Sequence, residues 1–140
     1  MSMTIEAHIE NIIEAIGNDL NWRYDDKFAG QLSEFAQNRG ENIAHRLVEL
    51  FPHQWHVKNI KQAPPALKNA LLAHAKLNKN QRIYTIPNQN DDPVIAAYWW
   101  PWGHGGTISL RLVSLNCDYQ SSDILPESTG ILAKLTNLFR

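Results

Sequence analysis

His53 and His56 flank Gln54 and Trp55, and together with His104 they are residue types able to hold a metal ion through neutral imidazoles. On an extended strand, side chains three positions apart point to opposite faces, so this pair converges only if the segment is a loop or a helical turn. No His-Glu-x-x-His run supports a metal, and no cofactor is expected. Cys117 beside a histidine would provide a nucleophile and a base. Its neighbours Asn116, Asp118 and Tyr119 offer no cation to stabilise a thiolate, so a small half-buried thiol is the expectation. His104-Gly105-Gly106 has the outline of an esterase oxyanion loop. The chain lacks Gly-x-Ser-x-Gly, however, and the glycines are expected to serve a turn.

The strongest chemical signal is charge. Residues 51–90 contain no acid but carry Lys58, Lys61, Lys68, Lys76, Lys79 and Arg82, while residues 1–50 hold nine acids against four bases. A formal net charge of −1 therefore hides a segregated layout. Such a layout fits an acidic partner for the middle segment or an internal match between acidic and basic surfaces. If one helix runs through this segment, Lys68, Lys76 and Lys79 fall within about a quarter-turn of each other at 100° per residue, forming a basic ridge. With Trp55 and Tyr84 interleaved and Arg111 added, the same bases could contact phosphates while the aromatics stack on nucleobases. No RNP-type aromatic signature or helix-turn-helix pattern accompanies them.

The second signal is aromatic. Tyr98-Trp99-Trp100-Pro101-Trp102 places three of five tryptophans in four positions. Strand alternation sends Trp99 and Trp100 to opposite faces, so both are core only if the sheet is covered on both sides. Trp102 lies past the strand end between Pro101 and Gly103, where it either wedges the hairpin or anchors a partner.

The elements that must position these residues follow from spacing. One α+β domain spanning residues 1–140 is expected, with 44% hydrophobic and 19% charged residues giving ordinary globular composition. Ile5, Ile9, Ile12, Ile13 and Ile16 form the stripe of a first helix, with Thr4 as N-cap and Gly17-Asn18 as its stop. A second helix is predicted from Asp25, with Phe28, Leu32, Phe35 and Ala36 inward, and a third with Ile43, Leu47, Val48 and Phe51, ended by Pro52. His53 to Ile60 reads as a short strand. Pro64-Pro65 opens a basic helix whose inner stripe is Leu67, Ala70, Leu71, His74 and Leu77. Arg82–Ile86, Val94–Trp100 and Thr107–Leu115 form a three-stranded antiparallel meander, and a C-terminal helix starts near Ser128. One sheet face is expected to pack on the helices, whose stripes over 5–16, 43–51, 67–77 and 131–139 face one core.

These readings favour a non-catalytic protein-binding module of the adaptor, immunity or inhibitor kind. Lys68, Lys76, Lys79, Arg82, Trp99, Trp102, His104 and Arg111 are its expected partner-binding residues. A nucleic-acid-binding protein using residues 58–82 is the alternative. A small enzyme gathering His53, His56, His104 and Cys117 is the third. The N-terminus lacks the basic start and apolar core of a secretory signal, and no run of about eighteen apolar residues occurs, so a cytoplasmic protein without membrane association is expected. A homodimer through the first helix is open to the chain.

Overall fold

A computed structural model describes residues 5–17, 20–27, 29–73, 76–88 and 92–124. Helices and one antiparallel sheet make an α+β arrangement. In chain order the elements are α1 (Ile5–Ile16), β1 (Arg23–Asp25), β2 (Gly30–Ala36), α2 (Gly40–Leu50), β3 (His53–Trp55), α3 (Pro65–Leu72), β4 (Arg82–Ile86), β5 (Val94–Pro101) and β6 (Thr107–Leu115). The six strands lie in the order β1-β2-β6-β5-β4-β3. The expected meander is its centre, with Trp99 opposite Leu110 and Arg82 opposite Trp99. Among the described residues no helix is long and apolar enough to cross a membrane.

The helix predicted from Asp25 is instead the hairpin β1–β2, which makes the sheet six strands wide and leaves two helices before β3 rather than three. Leu32 and Phe35 are three apart, a helical spacing, yet both are buried from a strand and point to opposite faces. That is possible because both faces of the sheet are covered. Phe35, Tyr84, Ile95, Ala97, Trp99, Ile108, Leu110 and Leu112 pack with α1 and α2 on one face. On the other, Trp55, Ile83, Val94, Ala96, Tyr98, Val113 and Leu115 pack with Leu67 and Leu71 of α3 and with Tyr119. The single core expected on one sheet face is therefore two clusters with the sheet between them. Trp99 and Trp100 divide between the clusters as strand alternation demands.

Gly17 stops α1 at φ 137, a left-handed value that glycine adopts without a Cβ clash, and its N–H bonds the Ile13 carbonyl at 2.9 Å. The Arg46 guanidinium of α2 donates to the Ile16 carbonyl, placing a cation at the negative end of α1. Across the sheet, the Tyr98 hydroxyl donates to the Leu71 carbonyl at 3.1 Å and ties down the end of α3.

The basic helix is shorter than expected. Because α3 ends at Leu72, Lys76 and Lys79 lie beyond it, and no helical ridge joins them to Lys68. The strand expected over His53 to Ile60 stops at Trp55, after which the chain turns and enters a 3-10 turn at Ile60–Gln62. Thr4, His74, Phe28 and the C-terminal helix from Ser128 lie outside the described residues.

Candidate functional site

A cleft of about 860 Å³ opens on the α1/α2 face of the sheet, between the first turns of α2 and the adjoining ends of β4 and β5. Three turns wall it. After β3, the Asn59 side chain clamps residues 56–58, accepting the His56 N–H at 2.8 Å and donating to the Gln54 carbonyl at 3.0 Å. That turn brings His56, Val57 and Lys58 to the rim. Before β4, the Gln81 side chain accepts the Asn78 N–H at 2.8 Å while the Gln81 N–H bonds the Asn78 carbonyl at 3.0 Å, which projects Lys79 from the other side. The third wall is the β5–β6 hairpin, closed by Trp102 N–H to Thr107 carbonyl at 2.8 Å and held to the 3-10 turn Gln37–Arg39 before α2 by Gln37 N–H to Gly106 carbonyl at 3.0 Å.

The floor is Trp99. Its indole packs on Phe35 with ring centroids 5.7 Å apart, and α2 approaches it closely through Gly40, whose missing Cβ would lie 3.6 Å from the ring. Arg82, directly across the β4–β5 ladder, lays its guanidinium over the ring at 5.7 Å. Lys58, Lys79 and Arg82 thus face one cavity in which Glu41 is the sole carboxylate among the described lining residues. None of the three cations forms an ion pair with a carboxylate of the described residues.

The expected partner-binding residues divide. Lys79, Arg82, Trp99 and Trp102 border the cleft, whereas Lys68, Lys76 and His104 do not. His104 is exposed in the hairpin turn, its Nδ1 accepting the Gly106 N–H at 2.9 Å and its ring edge-on to Trp102. Trp102 is 42% exposed, but its indole N–H is tied to the Ser109 hydroxyl at 2.7 Å. Arg111 belongs to the opposite face, where it stacks on Trp100 at 5.0 Å and pairs with Asp25 at 2.8 Å. Hydrogen bonding from that guanidinium holds the Asp25 carboxyl below its ordinary range. Lys58 was legible only as part of the acid-free stretch. Gln37, Gln54 and Glu41 carry no signal in the sequence.

The histidines do not converge. His56 lines the cleft, while His53 points to the other face, where its Nδ1 lies 2.8 Å from the Tyr119 hydroxyl. Among the described residues no three His, Cys, Asp or Glu side chains group as metal ligands. Burial, with the neighbouring Asp118 charge, pushes the Cys117 thiol up, which keeps it protonated and weakly nucleophilic.

His53 ends a buried hydrogen-bond chain. Trp55 Nε1–H donates to Thr85 Oγ1 at 3.0 Å, Thr85 Oγ1 meets the Tyr119 hydroxyl at 2.6 Å, and that hydroxyl meets His53. With His53 neutral and its proton on Nε2, every donor in the chain has an acceptor. Desolvation holds the His53 pKa below its ordinary 6.5. As pH falls below that value, the unfolded chain takes up a proton that the folded one refuses. Stability complete above 6.5 is therefore lost as pH falls through the folded value. The urea midpoint should fall between pH 7.5 and 5, and His53→Gln should flatten that dependence. An equal pH slope in the variant would remove His53 from the account.

The chain matches no protein-family model, no curated protein and no solved structure.

Proposed function

We propose that this chain is a non-catalytic protein-binding module of the adaptor, immunity or inhibitor kind, and that its cleft takes an acidic segment of a partner protein. The observation carrying this reading is that Lys58, Lys79 and Arg82 meet in one cavity without ion pairs to described carboxylates. Unpaired cations on one concave surface attract a complementary chain and set its register, mainly through association rate and specificity. Trp102, Pro101 and Val57 add apolar surface beside the charges.

Nucleic acid fits the same cleft less well. Base stacking needs exposed ring faces beside the cations. Trp55 and Tyr84, the aromatics interleaved with the basic residues, are 3% and 0% exposed, and Trp99 is covered by Gly40 and Arg82. Three cations remain for phosphates, and among the described lining residues a single exposed tryptophan, Trp102, with its indole N–H tied to Ser109, is left for the bases.

The test is fluorescence anisotropy with a labelled peptide of alternating Glu and Ala and with a twelve-nucleotide oligo-dT. Wild type should bind the peptide in a salt-sensitive way. The double variant Lys58→Glu/Lys79→Glu should bind about tenfold or more weakly, while its melting temperature stays close to wild type because exposed charges contribute only about 0–1 kcal/mol. Binding of oligo-dT without binding of peptide transfers the cleft to nucleic acid. A large drop in melting temperature would place the two lysines inside the fold's own electrostatics.

A further inference from the structure

We infer that Arg82 is the anchor of the cleft, a guanidinium held in position to take one side-chain carboxylate of the bound acidic segment through two parallel hydrogen bonds. This rests on the reading of the cleft as an acidic-segment site and narrows it to one residue and one functional group.

The chain carries its own precedent on the opposite face of the sheet. There Arg111 lies over Trp100 at 5.0 Å and its Nε donates to the Asp25 carboxylate at 2.8 Å. On the cleft face, Arg82 lies over Trp99 at 5.7 Å. The two sites share a guanidinium on an indole of the same strand, β5, one residue apart. They differ in the third member: Arg111 is committed to Asp25, whereas Arg82 forms no ion pair with a carboxylate of the described residues.

Position is set from beneath. Trp99 is 4% exposed and immobilised between Phe35 and Gly40, so the surface on which the guanidinium rests is fixed. Tyr84, two residues along β4 on the same face and fully buried beside Phe51, presents its hydroxyl 3.4 Å from Arg82 Nη1. That distance is long for a hydrogen bond and steers the group more than it binds it. A guanidinium stacked by one face keeps its N–H edge for an oxyanion, and a planar carboxylate matches that fork bidentately. Lys58 and Lys79 have flexible stems and compact charges, which suit them to general attraction rather than to this geometry.

The test uses the Glu-Ala peptide, with a Gln-Ala peptide and a phosphoserine-Ala peptide of the same length beside it. Arg82→Lys keeps the charge but loses both fork and stack, so its affinity for the Glu-Ala peptide should fall about tenfold. Lys68→Arg, at a lysine that does not border the cleft, should stay within about twofold. In wild-type protein labelled with 15N-arginine, the Arg82 Nε–H resonance should shift and its solvent exchange should slow as the Glu-Ala peptide saturates. An unmoved Arg82 signal at saturation, or Arg82→Lys binding within about twofold of wild type, overturns the anchor while leaving the acidic-segment reading in place. Preference for the phosphoserine peptide by more than about tenfold replaces carboxylate with phosphate. Failure of wild type to bind the Glu-Ala peptide removes both readings together.

Discussion

Alanine at position 99 is expected to lower stability by about 3 kcal/mol, the low end of the range of about 3–5 for deleting a core aromatic. Trp99 is 4% exposed, packs on Phe35, meets the first turn of α2 at Gly40 and supports Arg82. The low end applies because the vacated volume would adjoin the cleft, where water can enter rather than leave an empty cavity. Trp102→Ala is the internal comparison. That side chain is 42% exposed and contributes one hydrogen bond, to Ser109, worth about 1 kcal/mol net. Urea unfolding followed by circular dichroism separates the two variants. Equal midpoints for both would mean that Trp99 is no core residue and that the floor of the cleft is wrongly placed.

Gly30→Ala is expected to cost about 3 kcal/mol, the upper end for overpacking. A Cβ there would lie 2.3 Å from the Leu112 carbonyl oxygen and 2.6 Å from Val113 Cγ1. The first obstacle is backbone, hydrogen-bonded into the β2–β6 ladder, and cannot rotate aside. Gly103→Ala, with nothing within 4 Å of the added atom, should change stability by no more than about 0.5 kcal/mol. The same unfolding experiment decides, and a Gly30→Ala protein as stable as wild type would mean that β2 and β6 are farther apart than described.

These glycines also mark how far the sequence alone can be read. Gly30 and Gly103 each sit beside a turn, and nothing local distinguishes the one pressed against a neighbouring strand from the one in open space. The central strands were legible because Ile108, Leu110 and Leu112 alternate with Thr107, Ser109 and Arg111. The isoleucine stripe of α1 was legible for the same kind of reason, a single buried side at a helical period. β2 was not, because its buried Leu32 and Phe35 face opposite sides of the sheet and so fall at a helical spacing, whereas residues 107–112 of β6, though also in a sheet covered on both faces, keep polar side chains on alternate positions. The cleft was half legible. An acid-free stretch announces cations, but which of them meet depends on the register that sets Arg82 across from Trp99 and on turns closed by Asn59 and Gln81. Lys68 and Lys79 belong to one stretch of sequence and to different parts of the surface.

The strand order also sets a timetable. β2 lies between β1, its near neighbour in sequence, and β6, so residues 31–36 must wait for residues 107–112 to complete their ladder. Closing so long a loop is entropically slow and ties the folding rate to distant contacts. During synthesis from the N-terminus, the buried side chains of β2 gain their second neighbour only after β5 and most of β6 have emerged. The cleft borrows its walls from α2, from the turn after β3, and from β4 and the hairpin that β6 closes. The walls of the cleft are therefore complete only with the strand that completes the sheet.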